Sequence, residues 1–337
     1  MGRQHLSIIS SAGAVTGRRS LPSIVIGKTR RGELTMRGPA IYAAAAMVVS
    51  TWVNAQEIDW KKVDDALGRS AAVTGDVHRY GFPRSDLNVT LDGVSIKPAL
   101  AIGGWVALKP AHGGAMMMGD LVLLETEITP VMTAAIENGL EITAIHNHIL
   151  RAQPPTFYMH VSGQGDPLKL ANALHTTLAA SKTPLTASTA AAAASDIGLD
   201  TAELDRIVGV KGKPVGGVYQ FGIARRDHIT QSGMSLDPAG PLGAATGVNF
   251  QPTGNGKAAI TGDFVLAASE VNPVIRALRT NGIEVTALHS HMLDEQPRLF
   301  FMHFWANDDA LKLAKGIRAA LDQMANAESV GRSPEMK

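Results

Sequence analysis

The sequence predicts an α+β protein made of two homologous, sandwiched α/β repeats, each a mainly antiparallel sheet covered by two helices. Three observations predict it. The stretch "MGDLVLLETEITPVMTAAIENGLEITAIHNH" (118–148) aligns with "TGDFVLAASEVNPVIRALRTNGIEVTALHSH" (261–291) without a gap, at an offset of 143 residues. That period is the size of a domain, too long for a solenoid repeat. Each copy then orders strands, a helix, two strands and a helix, read from hydrophobic periods of 2 and 3.6. The 337-residue chain is also 45% hydrophobic and 18% charged, which is material for two packed layers around a core in each copy.

Along the chain, residues 1–35 are basic and unpatterned and read as an upstream segment preceding a true start at Met36. Residues 36–55 have the layout of a signal peptide: one Arg, a run of small and apolar residues, and Val53-Asn54-Ala55 as the cleavage site. The apolar run is too short to favour a membrane span, so no stable membrane anchor is expected after cleavage. Repeat 1 covers 56–180 and repeat 2 covers 201–327. The Ala/Ser/Thr-rich segment 181–200 links them, and 328–337 is a tail. In each repeat, 100–108 and 115–124 and their counterparts read as strands. Thr129 or Asn272 is placed to cap a helix beginning at Pro130 or Pro273, with Val131, Met132, Ala135 and Ile136 as its apolar stripe and Gly139 or Gly282 as its stop. Strands follow at 141–150 and 156–162, and at 284–293 and 299–305. Asp166-Pro167 and Asp309 open a final helix.

The chemistry-bearing pattern is H-x-H-x₁₁-H, written twice: His146, His148 and His160, then His289, His291 and His303. On a strand, residues i and i+2 share a face. A turn at Gln153-Pro154 or Gln296-Pro297 folds the next strand back. If His160 lies opposite His146 or His148, the third ring joins the other two; a slip by one residue sends it to the opposite face. Three converging imidazoles suit a transition metal ion, zinc first, with one position left open. The chain has no cysteine, so any ligands are nitrogen and oxygen atoms. The competing reading is a shared polar or catalytic cluster without metal.

Other repeated positions rank lower. Asp120 and Asp263 each follow a glycine and read as turn residues, or as groups assisting catalysis. Arg84-x-Asp86 and Arg225-x-Asp227 read as surface ion pairs, or as binders of an anionic substrate. Glu141 and Glu284 alternate out of phase with the histidine pairs, which sends them to the other side of the sheet. His78 and His112 correspond to Tyr219 and Asn255 in the second copy, so neither is a repeated site residue. Met116, Met117 and Met118 face Ala259, Ile260 and Thr261, which favours core packing over soft-metal binding. Net charge is +1 and no basic run appears, so no nucleic-acid partner is expected. No phosphate loop, G-x-S-x-G elbow or Rossmann fingerprint is present, so no nucleotide or flavin cofactor is expected.

The segment "NPVIRALRTNGIEVTALHSHMLDEQPRLFFMHFWA" strongly resembles the LppY/LpqO-type proteins, the exported bacterial DUF1259 family. The resemblance covers about 58–325, and "ALHSHML" and "FFMHFW" are its most specific marks. It implies a soluble periplasmic or secreted protein, and no particular activity. Named members of that family are lipoproteins; this chain has no cysteine to lipidate.

The expectation is an exported protein that binds a transition metal through its two histidine triplets. One alternative is a metal-dependent hydrolase acting on an envelope substrate, with Asp120, Asp263, Arg84 or Arg225 assisting. Another is a non-catalytic module that binds a small envelope ligand or a partner without metal. If the repeats pack about a pseudo-twofold axis, the triplets face each other in one dinuclear site; one shared site and two separate sites both stay open.

Overall fold

The structure is a computed structural model, and it describes residues 57–186, 197–237 and 241–324. The upstream segment, the signal peptide, most of the linker and the tail lie outside the described residues. Repeat 1 contains α1 (Trp60–Leu67), β1 (Ala72–Thr74), β2 (Val77–Pro83), β3 (Thr90–Leu91), β4 (Val94–Ser95), β5 (Gly103–Ala111), β6 (Gly114–Leu124), α2 (Glu125–Glu137), β7 (Glu141–His146), β8 (Thr156–Gly165) and α3 (Pro167–Ala179). Repeat 2 follows the same order with α4 (Thr201–Val208), β9 (Lys213–Val215), β10 (Val218–Ile223), β11 (Ile229–Gln231), β12 (Met234–Leu236), β13 (Thr246–Gly254), β14 (Lys257–Ala267), α5 (Ala268–Thr280), β15 (Glu284–His289), β16 (Leu299–Asp309) and α6 (Ala310–Leu321).

Each repeat forms one six-stranded antiparallel sheet, ordered β1-β2-β5-β6-β8-β7 and β9-β10-β13-β14-β16-β15. The α+β, two-repeat architecture is therefore present, with a third helix at the start of each repeat. Asp59 and Asp200 cap these short helices by accepting from the backbone of Lys62 and Glu203. Eight residues give too few turns for a periodic signal to stand out. At the other end, Asp166 and Asp309 cap α3 and α6 as the sequence suggests.

The middle helices begin earlier than Pro130 and Pro273. Glu127 and Glu270 reach back to the backbone N–H of Leu124 and Ala267, each at 2.8 Å. That satisfies the first turn at Glu125 and Ala268 and leaves the prolines inside the helix.

Strand alternation decides which face holds the site. On β6, Ala115, Met117, Leu121 and Leu123 pack under the helices, as do Met159 and Val161 on β8. Ala258, Ile260, Phe264 and Leu266 on β14 and Met302 and Phe304 on β16 do the same in repeat 2. The intervening residues point to the helix-free face. There, two smaller cores join the repeats. In one, Leu91, Val94, Ile96 and Tyr158 of repeat 1 meet Val218, Ala259 and Trp305 of repeat 2. In the other, Met116, Met118 and Ala107 meet Ile229, Leu236, Val265 and Phe301. The methionine run is thus shared between the helix-side core of repeat 1 (Met117) and this joint core (Met116 and Met118). The helix-free faces of the two sheets are turned toward each other, and the histidines lie on those faces.

Candidate metal centre

The first ring of each triplet reaches the inner face because the edge strands β7 and β15 carry a bulge. Ile142 pairs with Val161, but Ala144 pairs with His160. Val285 pairs with Phe304, but Ala287 pairs with His303. One extra residue, Thr143 or Thr286, shifts the phase of the strand. Without it, His146 and His289 would point toward the helices. The register differs from both expected pairings: His160 faces Ala144, and His146 faces Tyr158. The same bulge corrects the placement of Glu141 and Glu284. They pair with Ser162 and Trp305, on the inner face. The strands also end at His146 and His289, so His148 and His291 sit just beyond, in the loops 147–155 and 290–298. Those loops are anchored by the Thr90–Gln153 and Thr230–Gln296 bridges.

All six rings meet in one cluster. His146 lies 5.0 Å from His148 and 5.0 Å from His160, ring centre to ring centre. His289 lies 4.9 Å from both His291 and His303. The two trios stack on each other: His146 on His289 at 3.6 Å, His148 on His303 at 3.7 Å, and His160 on His291 at 3.8 Å. Every stacked pair takes one ring from each repeat, as a pseudo-twofold axis requires. Tyr158 covers His148 at 3.4 Å and Phe301 covers His291 at 3.5 Å. Thr286, at the repeat 2 bulge, donates to the His148 carbonyl at 2.5 Å.

Asp120 and Asp263 are not turn residues. They lie within β6 and β14, opposite His160 and His303 in the ladder. The strands continue past them because the preceding Gly119 and Gly262 pack against the neighbouring strand: a Cβ on Gly262 would lie 2.0 Å from the Gly247 carbonyl oxygen. Asp120 oxygens stand 3.7 Å from Nε2 of His148 and of His160. Asp263 oxygens stand 3.6 Å from His291 Nε2 and 4.0 Å from His303 Nδ1. These separations are too long for hydrogen bonds.

Burial dominates the electrostatics. It pushes the Asp120 carboxyl up to about 8, with Arg79 opposing. It raises Asp263 well above the carboxylate range, helped by the nearby Asp120 charge. Burial pulls His146 down to about 3 and His289 to about 4, and holds the other four rings well below 6.5. Neutral imidazoles with a free lone pair are the form that binds a metal. His303 has one nitrogen 2.8 Å from the Gly262 carbonyl, which turns its Nε2 toward the cluster as an acceptor. The Nε2 atoms of all six histidines, and one oxygen each of Asp120 and Asp263, are buried without a hydrogen-bond partner. The donor atoms fall into two groups, His146, His148 and His160, and His146, His289, His291 and His303.

Arg84 and Arg225 are neither surface pairs nor ligand binders. Arg84 is fully buried, and its five N–H groups go to Asp86, Glu127 and the Val122 carbonyl at 2.7–3.2 Å. Arg225 repeats this with Asp227, Glu270 and the Val265 carbonyl. The glutamates that cap α2 and α5 are the same residues, so each arginine ties a helix start to its sheet. The spacing Arg-x-Asp carried no sign of the third partner, 43 or 45 residues away. Residues that the sequence left unmarked are Arg79, Trp105 and Gly247, which line the approach to the cluster. Tyr158 and Phe301 had a usable signal: each lies two residues before the third histidine, on the same face.

Among solved structures, the trimeric bacterial microcompartment shell protein PduB is 13% identical, with a TM-score of 0.20, over 76% of this chain and 92% of that one. EtuB from Clostridium kluyveri is 11% identical, with a TM-score of 0.21, over 75% of this chain and 89% of that one. Scores this low carry no argument about fold or role. No curated protein matches. The family model described as Domain of Unknown Function (DUF1259) matches residues 61–180 and again 202–323, one match per repeat, and the chain belongs to that family.

Proposed function

We propose that this protein binds two transition metal ions, zinc being the first choice, in one dinuclear centre built by the six histidines with Asp120 and Asp263. The observation that carries the reading is the set of buried, unpartnered donor atoms aimed at one place. Each such atom costs about 1–3 kcal/mol when left unsatisfied, and coordination removes that cost at once. Ring spacing supports it. An imidazole nitrogen about 2.0–2.1 Å from zinc puts the centres of two rings on one tetrahedral ion about 5 Å apart, and neighbouring rings within each trio stand 4.9–5.0 Å apart. The trios stack at 3.6–3.8 Å, close to the roughly 3.5–4 Å between ions in two-metal sites. Two buried carboxylates, the Asp120 charge near enough to raise Asp263, also favour dications beside them.

The test is elemental analysis of chain purified without a histidine tag, beside a variant with all six His→Ala changes. About two equivalents of metal in the first and none in the second is expected. Negligible metal in both, after loading with zinc, cobalt or copper, ends the reading.

Export to the periplasm or outside, with cleavage before Gln56, rests on the 36–55 segment and on the likeness to LppY/LpqO-type exported proteins. Intact mass of the protein from its native host tests it: a mature chain beginning at Gln56 is expected, and a chain retaining 36–55 overturns it. No helix among the described residues is long and apolar enough to cross a membrane.

A second reading, a metal-dependent hydrolase, is favoured by the cavity of about 420 Å³ that reaches the cluster and both aspartates. A metal-bound water can serve as nucleophile near neutral pH. Turnover of an ester or phosphoester library that chelation abolishes supports it; a metal-loaded chain with no turnover leaves binding alone.

A further inference from the structure

The two repeats line the cavity unequally. Across the inner face of the first sheet, one row reads Gly81, Trp105, Asp120, His160 and Ala144. The matching row of the second reads Gly222, Gly247, Asp263, His303 and Ala287. Carboxylate and imidazole are kept, but an indole in one copy is a hydrogen atom in the other. A Cβ on Gly222 or Gly247 would meet nothing within 4 Å, so the repeat 2 side stands open. On the repeat 1 side, Trp105 packs against Gly243 so closely that a Cβ there would lie 2.9 Å from the indole. The space left beside it is about 10 Å³. Among the described residues, a cavity of about 420 Å³ reaches the cluster on that open side.

The polar groups of that approach are mostly committed. Gln220, Asn249 and Tyr158 donate in turn to the carbonyls of Ala99, Leu100 and Ala101, at 2.7, 3.2 and 2.8 Å. They hold the 99–101 segment as a wall. Arg79 is different. Its guanidinium carbon lies over Trp105, 3.8 Å from the ring centre, and the group donates one bond to the Pro241 carbonyl. Its remaining N–H groups have no acceptor among the described residues. Stacking and a single anchor fix the guanidinium at the cavity wall with donors to spare, the arrangement that recognises a planar or tetrahedral oxyanion. Its counterpart in the second copy is Gln220, so the charge is supplied once, like the opening. Two bound dications outweigh the two aspartates, and Arg79 adds to the excess; the chamber attracts anions.

We propose that this cavity binds a small oxyanion, a carboxylate or a phosphate group, between the Arg79 guanidinium and the open side of the metal pair. The proposal rests on the metal reading above. Its ligand enters past Lys213 and Val215, leaves Asp120 and Asp263 on the ions, and uses the slot that Gly222 and Gly247 clear.

The experiment loads full-length chain with Co²⁺, measures cobalt by elemental analysis, and titrates inorganic phosphate and acetate separately, read by calorimetry and by the cobalt visible spectrum. Saturable binding of at least one anion is expected; which of the two binds more tightly identifies the group. Arg79→Gln, which writes the second copy's residue into the first, is expected to keep its cobalt and to weaken binding about tenfold or more. Gly247→Trp, which writes the first copy's residue into the second, is expected to keep its cobalt and to lose binding; circular dichroism checks that it folds. Absence of cobalt uptake overturns the metal reading. Full cobalt uptake, with no binding of either anion or with unchanged affinity in Arg79→Gln, overturns this proposal alone.

Discussion

The two repeats keep the same carboxylate and the same three imidazoles, yet differ at the residue beside the carboxylate: Trp105 in one, Gly247 in the other. The loops differ in the same way. Arg151 of repeat 1 pairs with Asp92 in the β3–β4 turn, while Asp294 of repeat 2 accepts from Ser232 in the β11–β12 turn. Groups at the pseudo-twofold axis answer to both halves at once, because each ring stacks on a ring from the other copy. Groups away from the axis answer to one half only and are free to diverge. A shared centre needs both sets of ligands but not two equal approaches, and among the described residues Trp105 and Gly247 make the two sides unequal.

Acidity tests the shared part most severely. In the metal-free chain the six histidines are held neutral, His146 down to about 3 and His289 to about 4. Once unfolded they take up protons below about 6.5. Stability therefore falls as pH drops below that value, since the unfolded state binds more protons. Asp120 and Asp263 work in the opposite direction. Their folded-state values are raised, Asp120 to about 8, so they lose stability as pH rises from about 4 towards 8. If those protons sit on a neighbouring ring instead of the carboxyl, the count is unchanged. Six groups against two makes the acid limb the steeper. The metal-free chain is expected to be most stable near pH 6.5, and bound metal should remove the alkaline limb by keeping both carboxylates ionised. Urea unfolding midpoints from pH 5 to 8.5, with and without zinc, check this; a flat profile for the metal-free chain counts against six neutral buried rings.

The next largest effect concerns a feature the repeats share away from the axis. Arg84→Met or Arg225→Met leaves the glutamate at a helix start, Glu127 or Glu270, and the loop carboxylate of Asp86 or Asp227 without their cation. A buried pair broken in this way costs about 3–5 kcal/mol, and the nearly identical networks predict similar losses in the two variants. Denaturant unfolding measures both. A loss confined to one repeat would mean that one network is dispensable.

Metal occupancy should treat the copies alike. His146 belongs to both donor groups but offers one ligand atom, so each ion rests on the three rings of one trio, and removing His160 or His303 leaves two. His160→Ala and His303→Ala are each expected to lower zinc content to about half. An ion held at a hundred times its Kd adds about 2.7 kcal/mol to stability, so the thermal shift on adding zinc should shrink equally in both. A loss confined to His160→Ala would replace the symmetric division with one in which His146 serves the second trio.

Much of this centre was legible before any coordinates. The doubled H-x-H-x₁₁-H, folded back at an even register, allows three rings of each repeat on one face, and the gapless alignment shows which positions repeat. Three things were not legible, each for a physical reason. The bulges at Thr143 and Thr286 change strand phase without altering composition, so Glu141 and Glu284 were sent to the wrong face. Asp120 and Asp263 follow glycines, and glycine before aspartate reads locally as a turn; only the close approach of the next strand reveals that it continues. Stacking of one triplet on the other depends on contacts between distant segments, which no periodicity encodes. Arg84 was misjudged for the same reason, its partner Glu127 being hidden in the next helix.

The smallest effect is expected where the repeats meet by charge alone. Arg151 links Asp92 of its own repeat to Glu284 of the other, at 3.1 and 2.8 Å, but its side chain is half exposed. Exposed pairs contribute little and fade with salt. Arg151→Ala should therefore lower the melting temperature slightly at low ionic strength and not at all in high salt, and Asp294→Ala, at the matching place in repeat 2, should be nearly silent throughout. Apolar cores of both sheets already join the halves, with Phe301, Trp305 and Met118 buried in them. If Arg151→Ala proved as damaging as Arg84→Met, the halves would be held together chiefly by that charged bridge. The stacked histidines would then depend on a contact only one copy can make, and the pseudo-twofold account of the centre would lose its structural basis.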